Sequence, residues 1–353
     1  MNPYLSPFLK HLKPYVPGEQ PQGEDVIKLN TNENPYPPSP AVMEAIRSIS
    51  DHAVRKYPDP DCRDLRAAAA DLYGLAPANV FVGNGSDEVL ALSFLAFFKQ
   101  GRPILFSDIS YSFYEVYCGL FQIAARRIPL TEDFDIDLKQ YDGRCGGVIF
   151  ANPNAVTGKS VSLSDLVALL RRIGDRVVIV DEAYIDFGGN SAVDLISDFP
   201  NLLVVQTASK SRSLAGLRVG MAMGSQTLIS GLISVKDSFN SYPLDSVAQA
   251  AAAAAFRDRP YFEEARRRVI RTRERVAQRL RDTGFTVIPS RANFLLVKPP
   301  AGNARTLFND LKKKNIFVRY FDKPRLRSFL RVTIGTDAQM DAFLETLKKT
   351  LDR

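Results

Sequence analysis

The sequence predicts an α/β protein: a mostly parallel sheet between helices, followed by a smaller α+β domain at the C-terminal end. Three observations predict it. From Met43 onward, short apolar runs alternate with amphipathic stretches of helical period. The runs are continuously apolar, as strands covered on both faces are. Toward the end of the chain, strand and helix patterns follow one another in a shorter rhythm. With 353 residues, 45% of them hydrophobic, the chain can bury a sizeable core. We expect an N-terminal arm over residues 1–40, a large domain over 41–257 and a small domain over 258–353.

The arm is rich in Pro and Asn and includes "LNTNENPYPPSP". The strands of the large domain follow as "NVFVGNG" (79–85), "PILFSD" (103–108), "GGVIFANPN" (146–154), "RVVIVDEAY" (176–184) and "NLLVVQTASK" (201–210). Between them, stretches such as "SLSDLVALLRRIG" have the period of amphipathic helices. The alanine run from Ala250 to Ala255 reads as a closely packed helix. "EEARRRVIRTRERVAQRLRDTG", from Glu263 to Gly284, reads as a long surface helix. Glu263 and Glu264 stand four residues before Arg267 and Arg268, Val269, Val276 and Leu280 recur at helical spacing, and Gly284 can end it. Then come "FTVIPSRANFLLVKPP", a helix through Leu311, "IFVRYFD", "SFLRVTIGT" and a last helix from Asp337. No repeat of solenoid period is visible.

Composition narrows the function. No apolar run is long enough to span a bilayer, and "MNPYLSPFLK" lacks the pattern of a secretory leader, so we expect a cytoplasmic protein. Cys62, Cys118 and Cys145 are odd in number with no CxxC spacing, and signal neither a disulfide framework nor a zinc site. The two histidines, His11 and His52, both lie early in the chain in loop-like sequence. Proton transfer is therefore expected from some other residue type. The net charge of +7 raises nucleic acid as a partner, but the basic helix lacks aromatic interleaving or a DNA-binding motif. We read it as a solvated charged face; the positive balance equally suits small anionic ligands. Neither a nucleic-acid partner nor a metal is expected.

In an open parallel sheet, ligands bind beyond the carboxyl ends of the strands. There "VVIVDEAY" leaves Asp181, "LLVVQTASK" leaves Lys210, and "VIFANPN" leaves Asn152 and Asn154. "VFVGNGSDEVL" passes through Gly83 and Gly85 into a helix beginning near Ser86. Each signal has an alternative. Asp181 after an apolar strand also fits a magnesium site of a nucleotide hydrolase, but that requires a GxxxxGK[ST] loop, which the chain lacks. "GNGSDE" fails the GxGxxG pattern, yet its helix start presents free N–H groups to a phosphate. An ordinary glycine turn capped by Ser86 remains the simpler account of it. Jointly, a lysine, a carboxylate and a phosphate cradle on neighbouring strand ends are what pyridoxal 5′-phosphate requires. The amine forms a Schiff base with its aldehyde, the carboxylate keeps its ring nitrogen protonated, and helix N–H groups with an arginine hold its phosphate. The small residues of "QTASKSRSLAGLRVGMAMGS" let the backbone approach a flat ring.

"SKSRSLAGLRVG" resembles the lysine signature of the class II group of fold-type I pyridoxal-phosphate aminotransferases. "LNTNENPYPPSP", "KYPDP", "VGNGSDE", "SYSFY", "NPNAVTG", "DEAY", "ANF" and "LRVTIGT" appear in the order found in the histidinol-phosphate aminotransferases. The resemblance covers nearly the whole chain and implies a seven-stranded large-domain sheet. By motif it implies Lys210 as the Schiff-base lysine, Asp181 at the ring nitrogen, Tyr184 at the phenolic oxygen and Tyr111 stacked on the ring. The phosphate falls to Ser209, Arg218 and the backbone around Gly85, Ser86 and Asp87, with Tyr57 from the second subunit of a homodimer. One departure stands out. The family usually reads NPNNPTG, its second asparagine of the pair bonding the phenolic oxygen, and this chain has Ala155 there and Val156 after it. Asn154 is the candidate to fill the role by a local shift. Ile109 replaces a common proline, and Arg212 stands where an aromatic is frequent.

For the substrate, Arg331 matches the family arginine that binds the anionic end, Arg319 precedes it by twelve residues, and Tyr15 matches a tyrosine that closes over the substrate. Asn34 of the arm completes the substrate set. Two guanidiniums suit a phosphate monoester as well as a carboxylate; an ordinary surface ion pair is the lesser alternative for Arg319. The resemblance implies transfer of the amino group of L-histidinol phosphate to 2-oxoglutarate, in histidine biosynthesis, with Lys210 as general base and acid. Aromatic aminotransferases and threonine-phosphate decarboxylase share nearly all these motifs. Some transcription regulators carry the same domain behind a helix-turn-helix, which is not seen ahead of the arm here.

Overall fold

The computed structural model describes residues 4–23, 25–300 and 302–351. Residues 1–3, which open the stretch read above for a leader, lie outside them.

Thirteen strands are assigned among the described residues: β1 (Ile27–Lys28), β2 (Val80–Asn84), β3 (Ile104–Ser107), β4 (Ala125–Ile128), β5 (Val148–Ala151), β6 (Val178–Asp181), β7 (Leu202–Thr207), β8 (Val219–Gly224), β9 (Thr286–Val287), β10 (Phe294–Lys298), β11 (Ile316–Phe317), β12 (Arg319–Tyr320) and β13 (Leu330–Thr333). Seven form the large sheet in the order β2-β8-β7-β6-β5-β3-β4. Strands β3 to β7 run parallel, and β8 lies antiparallel to both its neighbours, β7 and β2. All five quoted apolar runs are strands of this sheet. Two further strands were not singled out in advance. β4 reads "ARRI" and has two exposed arginines, because it sits at the sheet edge. β8 reads "VGMAMG", too rich in glycine and methionine for the ordinary strand pattern.

Alternate residues of the central strands feed two cores. Val148, Phe150, Val178, Val180, Leu202 and Val204 pack on one face with Leu166, Leu169 and the alanine helix. Ile149, Ile179, Leu203, Val205 and Ala222 pack on the other with Leu90, Phe94 and Leu232. The helix Leu163–Ile173 shows the local logic. Ser162 accepts the Asp165 N–H as its cap, and Leu166, Leu169, Leu170 and Ile173 put a buried stripe on the sheet. The alanine run lies in the helix Ser246–Arg257, where Ala251, Ala252 and Ala253 are fully buried.

The second sheet, β12-β13-β10-β9, is antiparallel throughout. β1 of the arm pairs with β11 beside it, and Thr333 N–H reaches back to the Leu29 carbonyl. The helices Ala304–Lys312 and Asp337–Leu351 cover this part of the chain. The basic helix spans Arg259–Asp282, with Val269, Val276 and Leu280 buried along one side. Two of its ion pairs run from Glu263 to Arg266 and from Glu264 to Arg267, at a spacing of three rather than four. One face is buried, and Arg273 on it is only 1% exposed, donating to the carbonyls of Phe187 and Ala292. A guanidinium is buried there because two backbone acceptors and Glu274 satisfy it.

Candidate active site

Three adjacent parallel strands bring Ala151 of β5 and Val205 of β7 level with Asp181, the last residue of β6, and β7 runs on to Thr207. Asp181 is 3% exposed. Its Oδ2 accepts from the Tyr114 hydroxyl at 2.7 Å, and its Oδ1 accepts from the Ala183 N–H at 3.2 Å. Burial pushes its carboxyl up to about 6, against the opposing pull of those two bonds.

Lys210 lies just past the end of β7, and its Nζ donates to the Thr31 carbonyl at 3.0 Å. Burial pushes this amine down to about 8, helped by the positive field of Arg331. The Nζ lies 6.0 Å from the centre of the Tyr184 ring. Arg212, two residues on, is buried between Phe256 and Phe262, its guanidinium 4.2 and 4.1 Å from their ring centres. A cation over two aromatic faces takes the place of the frequent aromatic residue at this position.

Where Ser86 and Asp87 reach the cavity wall, a helix begins at Gly85 behind Asn84, so Ser86 is not its cap. Asp87 gathers the surrounding polar groups: Tyr111 donates to its Oδ1 at 2.6 Å, Arg218 pairs with its Oδ2 at 3.0 Å, and Tyr117 donates to its carbonyl at 2.9 Å. Gly220 on β8 abuts Gly85 and Ser86 so closely that an added Cβ would run into their backbone, and one on Gly85 would meet Arg218. Arg218 itself holds a left-handed backbone at φ 54°, a conformation that non-glycine residues adopt under constraint. Thr207 Oγ1 donates to Ser209 Oγ at 3.0 Å.

These groups open onto one cavity of about 610 Å³, whose wall includes Tyr15, Ser86, Asp87, Tyr111, Asp181, Tyr184, Ser209, Lys210, Arg218, Arg319 and Arg331. Arg331 donates to the carbonyls of Ala155 at 2.9 Å and Asn30 at 3.2 Å, and its buried Nε has no partner among the described residues. Arg319 faces Arg331 across the β12–β13 ladder and is in no ion pair among the described residues, so it is not the surface salt bridge allowed for above. Tyr15 stacks on Phe113 at 4.4 Å.

Three sequence-predicted residues lie elsewhere. Asn154 is fully buried and off the cavity wall: its Nδ2 donates to the Ile109 carbonyl, and its Oδ1 accepts from the N–H groups of Val156 and Thr157. Its amide is spent on holding the turn, so it cannot replace the missing asparagine. Asn34 faces the backbone, donating to the carbonyls of Lys210 and Ser211. It braces the lysine loop rather than lining the substrate space. Tyr57 is 82% exposed, stacked on Tyr242 at 4.7 Å, and does not reach this cavity within its own chain. Sequence reasoning missed Tyr114 and Asn32. Tyr114 lies in the first turn of the helix Phe113–Phe121, and its bond to Asp181 spans 67 positions, beyond any local pattern. Asn32 had no local signal.

The residue set fits pyridoxal phosphate. A lysine amine and a buried carboxylate share a cavity, a cradle exists that a single Cβ would fill, and the Ser110 hydroxyl on the wall is buried with no partner among the described residues. The family comparison agrees, since a sequence profile described as "Aminotransferase class I and II" matches residues 24–347. The chain belongs to the class I and II aminotransferases. Among curated relatives, this aminotransferase is 53% identical over 351 residues to a histidinol-phosphate aminotransferase of Clostridium acetobutylicum, covering 99% of this chain and 100% of that one. It is 54% identical over 348 residues to the enzyme of that name from Chromohalobacter salexigens, covering 99% of each. Its fold is that of the Sinorhizobium meliloti histidinol-phosphate aminotransferase crystallised in complex with pyridoxal-5′-phosphate, with a TM-score of 0.87 at 24% identity over 99% of both chains.

Proposed function

We propose that this aminotransferase moves the amino group of L-histidinol phosphate to 2-oxoglutarate, yielding imidazole acetol phosphate and L-glutamate, with pyridoxal 5′-phosphate as cofactor. The observation that carries the reading is one cavity holding a lysine amine, a buried carboxylate and two arginines that are in no ion pair among the described residues.

In this reading Lys210 holds the cofactor and then shuttles a proton at its Nζ to and from the substrate. A pKa near 8 suits both tasks, because the neutral amine is accessible near neutral pH and the protonated one is not too weak an acid. The cofactor, when bound, supplies the electron sink that makes the substrate's α-proton removable. Asp181 faces its ring nitrogen; a cation there favours the ionised carboxylate, and Tyr114 keeps the carboxylate aimed. Tyr184 serves the phenolic oxygen and Tyr111 the ring face. Ser209, Arg218 and the N–H groups around Gly85, Ser86 and Asp87 hold the phosphate. Arg331 and Arg319 take the substrate's anionic end, and Tyr15 narrows the mouth and excludes water.

The same reading makes the active unit a homodimer, with Tyr57 crossing into the partner's site. Its exposure and its stacking on Tyr242 support that, since a large aromatic held outward in a fixed pose is suited to an interface. The proposed division is arm 1–40, large domain 41–257 and small domain 258–353. Among the described residues no helix is long and apolar enough to cross a membrane, and we propose a cytoplasmic setting. Turnover of the cofactor-loaded protein on histidinol phosphate, phenylalanine and threonine phosphate tests the substrate. Histidinol phosphate should be preferred. Preference for phenylalanine, or release of carbon dioxide from threonine phosphate, would overturn the substrate assignment.

A further inference from the structure

The turn that usually brings an asparagine amide to the phenolic oxygen carries Ala155 in its place, and Asn154 beside it is spent on the turn. Another amide reaches the same region. Asn32 of the arm is 1% exposed, lines the cavity, and places its Nδ2 at 3.0 Å from Tyr184 Oη. Its backbone is left-handed, at φ 57°, which asparagine tolerates better than most residues. Asn293 Nδ2 pins its carbonyl at 3.0 Å.

The direction of these bonds follows from counting hydrogens. The Asn32 N–H donates to Thr333 Oγ1 at 3.0 Å. Buried Thr333 has one hydrogen to give, and its only acceptor among the described residues is Asn32 Oδ1 at 2.9 Å. With Oδ1 committed to Thr333, the amide nitrogen must face Tyr184. The Tyr184 oxygen therefore accepts from Asn32, and its own hydrogen, with no acceptor among the described residues, turns into the cavity. Thr333 and Arg331 lie two residues apart on β13, so one short strand carries both this relay and a substrate arginine.

We propose that Asn32, oriented by Thr333, is a positioning residue that fixes Tyr184 as an O–H donor into the cavity and takes over the role of the amide absent at position 155. The inference rests on the cofactor reading above. Its test is the affinity of the cofactor-free protein for pyridoxal phosphate, with the pH midpoint of the visible absorbance of the loaded protein as a second readout. Asn32→Ala and Thr333→Val should each weaken binding about tenfold, the scale of one unsatisfied buried polar group. Each should also raise the absorbance midpoint, because a donor that favours negative charge on the oxygen is lost or misaimed. Thr333→Ser, which keeps the hydroxyl, should behave as wild type. Adding Ala155→Asn to Asn32→Ala should recover part of the affinity. Thermal melting identifies a variant that has simply unfolded; if Asn32→Ala does, the Thr333→Val and Thr333→Ser pair decides. Wild-type affinity and midpoint in folded Asn32→Ala, or Thr333→Ser as impaired as Thr333→Val, would overturn the inference alone. Failure of the wild-type protein to bind pyridoxal phosphate would overturn the cofactor reading and this inference with it.

Discussion

Lys210 and Asp181 show why burial governs this site. Each sits at a strand end where its charged form loses water, so the amine falls to about 8 and the carboxyl rises to about 6. The lysine has a measurable consequence without cofactor. Its folded value lies below 10.5, so between about pH 8 and 10 the unfolded chain binds more protons and stability rises with pH. The full difference is on the order of 3 kcal/mol. Thermal melts of the cofactor-free protein should thus show wild type gaining on Lys210→Met across that window; parallel curves would contradict it. Asp181→Ala should lower kcat about a hundredfold or more while leaving the melting temperature close to wild type, since it removes a charge-stabilising group and its desolvation cost together. Both residues were legible because Asp181 directly follows an apolar run and Lys210 comes a few small and polar residues after another. Asn32 and Tyr114 were not, because their meaning lies in partners 152 and 67 positions away.

Among the elements, β8 matters most for the cradle. It runs against its neighbours and brings Gly220 onto Gly85 and Ser86, just after Arg218 turns through a left-handed conformation. Gly220→Ala should force the cradle apart, weakening cofactor binding at least tenfold and costing about 1–3 kcal/mol of stability. Cofactor titration and denaturant unfolding measure the two, and unchanged affinity would show that the close approach is not needed. The five apolar strands were readable because a strand covered on both faces must be apolar. The edge strand β4 was not, since one side of it meets solvent and its arginines pair with Glu115 and Asp142.

Across the whole molecule, the cavity is assembled from parts that no local pattern connects: Tyr15 and Asn32 from the arm, strand ends from the large sheet, and Arg319 and Arg331 from the small one. Arg273 helps hold these parts together, its guanidinium linking the Phe187 loop beyond β6 to Ala292 before β10. Arg273→Met keeps the apolar stem but leaves two buried carbonyls without a donor, which should cost about 2–5 kcal/mol. Chemical denaturation would read that loss, and a change under about 0.5 kcal/mol, the size of an ordinary surface substitution, would exclude the bridging role.

The order of apolar runs, the lysine and aspartate that follow two of them, and the arginines near the end were set by the sequence itself, because burial on both faces and strand-end polarity leave a local pattern. Only the folded chain decided which amide faces Tyr184, that Asn154 and Asn34 bind backbone instead, and that Arg273 is buried. Each of those outcomes is a competition among hydrogen-bond partners far apart in the chain, and it is settled by which ones packing brings within about 3 Å.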